Sequence, residues 1–514
     1  MSRRNLLILI LAALASFWFY RRLEKPRYAR VLTGAMTTIE NHSLAPVKSL
    51  ELFEGAMDGM LGQLDDYSTY ISPEDLPNFQ NEIDLQHVGL GIRIAIDPET
   101  KQLKVVSPVA NSPALRAGIR AGDRILRIGK TPTEGMSVGD AAALLGGEPG
   151  TSVTLSILHE GAKKPVEITV VREVIQEDSV LGDTCNADGS WNFFLGGRDR
   201  IGYVRIVSFD DETVEELRDA LAKLTARGMR GLVLDLRDNP GGYLDAAVDV
   251  CNLFVRSGVI VTTRRRDGSV SETFTADGRA PFTNFPMAVV VDQETASAAE
   301  IVAACLQDHH RATVVGQRTF GKGTVQEIIY LEPGCGAMKL TTASYWRPSG
   351  RNIDRSHDAR EKDPWGVSPE PGDEVVMTDE EFDRWQAWRA ERDILQVPAG
   401  ENPKPAGDTK KRPAAKPFVD VQLLRAVERV EKKLQKDAKK TRLAIHLKSG
   451  YDFSRRNGSL VLCQSCFDRW HSRPRLCELP GTAEGGCATR TCRFIHQTTT
   501  DRALGVLAES QNPC

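Results

Sequence analysis

Three short segments in the middle of the chain carry residue types that acyl-transfer chemistry uses. ETASAAEI (294–301) puts Ser297 where a helix begins after an apolar strand. The first helical N–H groups then stand behind the hydroxyl and favour developing negative charge. DLRDNPGG (235–242) ends another apolar strand in Gly241-Gly242, a pair that lets the backbone turn sharply and approach a ligand. TFGKGTVQ (319–326) sets Lys322 between two glycines after a third apolar strand. Singly, each has a plainer reading: an N-capping serine, a Gly-rich turn, a solvated loop lysine. Together they supply a nucleophile, a base and donors for an oxyanion.

A serine nucleophile needs a base. His309 and His310 follow Ser297 on the same expected helix and lie roughly 18 Å or more along it at about 1.5 Å per residue. His87, His159 and His357 sit in no supporting motif. Lys322 is the better candidate, provided its pKa falls from about 10.4 toward 7–8. A shift of about three units costs about 4 kcal/mol, which demands an apolar, buried amine. Gln326, four residues further on, is placed to orient that amine.

These residues need a scaffold. Strands at Ile201–Ser208, Gly231–Leu236, Val259–Arg264, Met287–Val291 and Thr313–Gly316 alternate with helices at Thr213–Ala226, Tyr243–Phe254 and Ser297–His309, which predicts a mainly parallel sheet flanked by helices. Ahead of it, residues 86–172 read as a compact β-module of five short strands and a helix at Ser137–Leu145. Residues 28–85 carry apolar side chains at helical spacing and form an N-terminal helical region. After the 173–378 core come an amphipathic helix (379–397), a Pro/Lys-rich linker (398–417), a second helix (418–440) and a Cys-containing basic tail (441–514).

Composition sets the outer bounds. The chain has 514 residues, 41% hydrophobic and 26% charged, which excludes disordered, collagen-like and coiled-coil classes. A net charge of −3 carries no nucleic-acid signature, although the residues from Glu401 on are basic. Residues 1–22 open with Arg3-Arg4 and run apolar from Leu6 to Tyr20 before Arg21-Arg22. This pattern of a signal anchor, with its aromatic cluster at the membrane interface, points to export and tethering. The isolated cysteines of the body (185, 251, 305 and 335) are no disulfide framework. The tail's cysteines have irregular spacing, so no metal site is assigned and no cofactor is implied.

The three segments resemble those of the carboxy-terminal processing (tail-specific) serine peptidase family. LDDYSTYISPEDL (64–76), YWRPSGRNI (345–353), WGVSPE (365–370) and DVQLLRAV (420–427) follow in that family's order. The resemblance implies an α/β multidomain fold with a ClpP/crotonase-like peptidase core and an inserted PDZ module. It implies Ser297 as nucleophile, Lys322 as general base and Gln326 as the lysine's support. Backbone N–H groups of Gly241, Gly242 and Ala298 match the oxyanion hole. Asp308 matches an acidic residue needed for activity, more for architecture than for proton transfer. Ala299 stands where the family often has serine. GLGI (Gly89, Leu90, Gly91, Ile92) and SPALRAGIRAGDRILRIG (112–129) resemble a bacterial PDZ domain, whose amides cradle a peptide carboxylate while the peptide adds as a strand. The expected partners are therefore proteins with exposed C-termini and the inner membrane of a bacterial envelope, with catalysis on its periplasmic side; self-association into a homo-oligomer is open. Two other classes compete: a non-catalytic PDZ adaptor that holds C-termini, and an acyl-CoA hydratase-like enzyme.

Overall fold

The computed structural model describes residues 27–395 and 418–452, apart from Glu99, Asp199 and His357, together with Asn5, Ile10 and Ala12. Most of the 1–22 segment, the 398–417 linker and the tail beyond residue 452 lie outside the described residues. The described residues up to Ala444 form one compact unit. Among the described residues no helix is long and apolar enough to cross a membrane.

The N-terminal region holds α1 (Arg27–His42), α2 (Ser49–Leu61), β1 (Thr69–Ile71) and α3 (Leu76–Ile83). In the turn between α2 and β1, Asp65 accepts bonds from the Tyr67 and Ser68 amides and the Ser68 hydroxyl. Burial tends to raise its pKa, yet these donors hold the carboxyl below its ordinary value.

The β-module follows as β2 (Gln86–Gly89), β3 (Ile92–Ile96), β4 (Leu103–Pro108), α4 (Pro113–Arg116), β5 (Arg124–Ile128), β6 (Thr131–Pro132), α5 (Val138–Leu145), β7 (Ser152–Leu158), β8 (Val166–Val171) and β9 (Glu173–Gln176). Strands β3-β4-β5-β7-β8 form one antiparallel sheet around a core that includes Leu103, Ile125, Leu155 and Ile157. Strand β3 ends that order, so one of its edges has no strand partner in the sheet. Strands β2 and β9 pair with each other and frame entry and exit. A Ser137–Asp140 capping box starts α5.

The remaining elements build the layer that carries the three motifs: β10 (Val180–Leu181), β11 (Thr184–Cys185), β12 (Trp191–Asn192), β13 (Ile201–Ile206), α6 (Thr213–Ala226), β14 (Gly231–Asp235), α7 (Leu244–Phe254), β15 (Val259–Arg264), β16 (Val270–Thr275), β17 (Met287–Val291), α8 (Ala298–Asp308), β18 (Thr313–Gly316), β19 (Thr324–Tyr330), β20 (Ala337–Trp346), α9 (Asp379–Asp393) and α10 (Val421–Asp452). Strands β13, β14, β17 and β18 are parallel neighbours, with β10 antiparallel at the edge. Every residue of β13, β14 and β17 is buried, as expected for parallel strands covered on both faces. Alternate side chains part company along each strand. Val204, Leu232, Leu234 and Val289 meet α6, α7 and α8 on one face; Tyr203, Val233, Val290 and Val315 meet Leu423, Val427 and Val430 of α10 on the other.

The alternation of strands and helices predicts Val259–Arg264 in the parallel sheet. The structure places it elsewhere. Strand β15 pairs antiparallel with β16 and β20 in a second sheet, ordered β1-β20-β15-β16 with β19 beside β20. The physical reason is the hairpin after β15: a turn at Asp267-Gly268 returns the chain directly into β16, leaving no crossover for a parallel pairing. The sequence-expected helix over 418–440 is also longer, continuing to Asp452.

Candidate active site

Ser297 sits on the turn from β17 into α8 with φ 55° and ψ −117°. Few side-chain-bearing residues hold a positive φ, and such strain clusters at active sites. Local bonds enforce it: Ala296 N donates to Asn239 O, Thr295 Oγ1 to Leu236 O, and Ser297 N to Glu300 Oε2 at 2.9 Å. The serine is only 8% exposed.

The DLRDNPGG turn lies directly against it. A Cβ added at Gly241 would come within 2.7 Å of Ser297 Cβ and 3.1 Å of the Ala298 nitrogen. Gly241 has φ +106° and Gly242 φ +138°, and a side chain at Gly242 would strike the backbone of Phe209, so both positions need glycine. Gly241 departs from its expected part in one respect: its N–H donates to Asn239 Oδ1 at 2.8 Å. Among the described residues the N–H groups of Gly242 and Ala298 have no acceptor; Ala298 follows Ser297 in the chain, and Gly242 follows the glycine packed against it.

Glu300 joins the serine's turn to the lysine's loop. Its Oε2 accepts from Ser297 N at 2.9 Å and Lys322 N at 2.8 Å, while its Oε1 accepts from Gly321 N at 2.8 Å and Thr319 Oγ1 at 2.5 Å. The two backbone nitrogens that share Oε2 can be no farther apart than these two bonds laid end to end. Burial pushes the Glu300 pKa up to about 7, against the pull of those four donors. The glycines around Lys322 have a steric cause: a side chain at Gly323 would overlap the Asp354 backbone, and Gly321 has φ +87° against Arg355 and Trp365.

The Lys322 amine is held below its ordinary pKa, first by burial and then by Lys339, while Glu300 pulls the other way. No hydrogen bond joins it to Ser297 Oγ among the described residues; its Nζ lies 5.0 Å from the centroid of the Tyr67 ring. Nor does Gln326 touch the amine, contrary to the sequence expectation. Gln326 Nε2 donates to Thr324 Oγ1 at 2.8 Å and Thr341 Oγ1 at 3.1 Å, on a strand whose register shifts at Val325/Gln326. Asp308 stands at the far end of α8, where Arg347 grips it through two nitrogens and Ser349 N donates to it. Burial would raise its pKa, but these partners keep it low. His309, at the opposite end of α8 from Ser297, is bonded to Val259 O.

Sequence reasoning missed Glu300, Asn239 and Tyr67. Glu300 had a signal: an acidic residue three positions after a serine at a helix start is a capping box.

In the β-module, Gly91 adopts φ +69° and a side chain there would collide with Ser112. The Leu90 and Gly91 carbonyls are taken by Ala114 N and Val109 N. Their own N–H groups have no acceptor among the described residues, beside the unpaired edge of β3. Leu90 is buried, with Ile92, Ile94, Ala141 and Leu145 beside it.

Fold and site together define a serine peptidase layer carrying a peptide-binding module. Residues 200–369 match peptidase family S41 and residues 104–159 match a PDZ domain. A carboxyl-terminal-processing protease of Synechocystis sp. is 37% identical over 315 residues, 61% of this chain and 71% of that protein. A carboxy-terminal-processing protease of Bartonella bacilliformis is 38% identical over 307 residues, 59% of this chain and 67% of its own. One from Picosynechococcus sp. is 34% identical over 311 residues, 60% and 72%. The chain belongs to peptidase family S41, among the carboxyl-terminal processing serine peptidases.

Proposed function

We propose that this chain cleaves the C-terminal tails of protein substrates with Ser297 as nucleophile and Lys322 as base. A tail docks along β3 with its carboxylate at Leu90 and Gly91, which brings the chain behind it to Ser297. Neutral Lys322 takes the Ser297 proton as Oγ adds to the scissile carbonyl carbon. The oxyanion rests on the N–H groups of Gly242 and Ala298. Collapse breaks the C–N bond, the departing amine takes the proton from Lys322, and water, deprotonated by the same lysine, hydrolyses the acyl-enzyme. The division proposed for the chain is a PDZ domain over 86–172 and a peptidase core over 173–378. Export is proposed too, with residues 1–22 as an inner-membrane anchor and catalysis in the periplasm; the basic start and apolar run support it.

The observation that carries the reading is Glu300 Oε2, which binds the backbone of nucleophile and base at once. The test is incubation with a model protein bearing an apolar C-terminal tag. Wild type should remove the tag, and Ser297→Ala and Lys322→Ala should each lose essentially all activity. Tag removal by Lys322→Ala at the wild-type rate sinks the dyad.

A further inference from the structure

The turn between α2 and β1 lays an aromatic ring on the proposed base. Lys322 Nζ stands 5.0 Å from the Tyr67 ring centroid, within cation–π range, and has no hydrogen-bond or ion-pair partner among the described residues. The ring's seat is built. Asp65 Oδ1 receives Tyr67 N at 2.9 Å and Ser68 N at 2.8 Å, and also Thr341 Oγ1 of β20 at 3.1 Å. Thr341 N in turn donates to Ser68 Oγ at 3.1 Å. The same Thr341 hydroxyl accepts Gln326 Nε2. One threonine thus fastens the Tyr67 turn to the strand pair that leads from Lys322.

We propose that Tyr67 is a positioning residue for amide hydrolysis, its ring forming the wall that keeps water from the Lys322 amine and holds that amine near Ser297. This rests on the Ser297–Lys322 reading. It also gives Gln326 a part: it supports the lysine through Thr341 and the Tyr67 turn instead of by direct contact.

The charges around the pair are Lys339 from β20 and Glu300 from α8, acting on Lys322. Asp65 and Asp66 from its own turn, Asp354 from the segment after β20 and Glu300 act on Tyr67. Lys339 disfavours the ammonium and Glu300 favours it, and neither depends on the ring. The ring contributes two opposed effects. Its face attracts the ammonium through a single contact at 5.0 Å. Its bulk excludes water, and dehydrating an amine moves its pKa by whole units. Exclusion wins, so the ring favours the neutral base.

The test is the pH dependence of kcat/KM on a tagged protein, using the full chain. Tyr67→Phe keeps the ring and should reproduce the wild-type acid limb. Tyr67→Ala should move that limb to higher pH by about half a unit to one unit, with a roughly tenfold lower kcat/KM near neutrality that recovers in part at alkaline pH. Tyr67→Gln, larger than alanine but polar and without a ring, should shift the limb the same way and serves if the alanine variant fails to fold. An unmoved or lowered limb in both variants, or a Tyr67→Phe profile like that of alanine, overturns the proposal. Activity that survives Lys322→Ala sinks the dyad itself; an unmoved limb in an enzyme that needs Lys322 sinks only the role of Tyr67.

Discussion

Glu300 sets the terms on which the serine and lysine backbones meet. Three of its four hydrogen bonds come from backbone N–H groups that can only donate, with at least one of them on each oxygen, so an amide N–H₂ in either position faces a donor. Glu300→Gln should therefore cost at least tenfold in kcat/KM, since one misdirected buried hydrogen bond to a charged group is worth about 1.5–3 kcal/mol. Stability carries a second signature. With its pKa raised to about 7 from 4.5, folded Glu300 keeps a proton that the unfolded chain has released, so its contribution to stability declines as pH rises through that window. Denaturant midpoints at pH 5 and pH 7.5 should fall more in wild type than in Glu300→Gln; equal falls exclude this titration. Ser297 and Lys322 were legible in the sequence because glycines and a helix start mark them. Tyr67 was not, since its partner lies in another part of the chain and no local period links them. Gln326 hydrogen-bonds Thr324 and Thr341 instead of the Lys322 amine, because spacing along a chain does not reveal where a strand's register shifts.

At the scale of elements, two motifs far apart in sequence meet in one buried ion cluster. Arg237, from DLRDNPGG, donates to Asp235 Oδ2 at 2.6 Å and, through two nitrogens, to Asp420 at 3.0 and 2.8 Å, and it bonds Gln422 Oε1. Asp420 and Gln422 open DVQLLRAV, so this cluster pins the start of α10 to the DLRDNPGG segment. Without Asp420, Arg237 stays paired with Asp235 but loses its second carboxylate, and Leu423 N loses the acceptor that caps α10. Asp420→Ala should lower unfolding free energy by about 1.5–3 kcal/mol, read as a drop in denaturant midpoint, with lost tag cleavage following lost structure. A change below about 1 kcal/mol shows that the cluster does not hold the helix. The motif order made both segments visible, but their contact was not, because pairing across such a separation leaves no mark on either segment. Strand β15 failed for the converse reason: its local pattern fits either sheet, and the hairpin that follows it decides.

For the whole molecule, the β-module stands between β2 and β9, which pair with each other, so it can be removed with its ends already side by side. Deleting residues 90–172, which leaves Gly89 opposite Glu173, should reduce tag removal from a protein at least tenfold while changing hydrolysis of a short generic peptide much less. Equal losses on both substrates contradict tail capture by the module. The module itself was readable from GLGI and its strand spacing, as was the helix-flanked sheet.

The sheet's second face has a consequence for timing. Tyr203, Val233, Val290 and Val315 are covered by Leu423, Val427 and Val430, which a ribosome delivers after every residue of the proposed site. Until that helix arrives, a greasy wall stays bare and the Arg237 guanidinium lacks Asp420. Because chains emerge N-terminus first, the proteolytic layer is the last to be sealed, and a nascent copy halted before residue 420 holds every reactive group without a finished body to aim them.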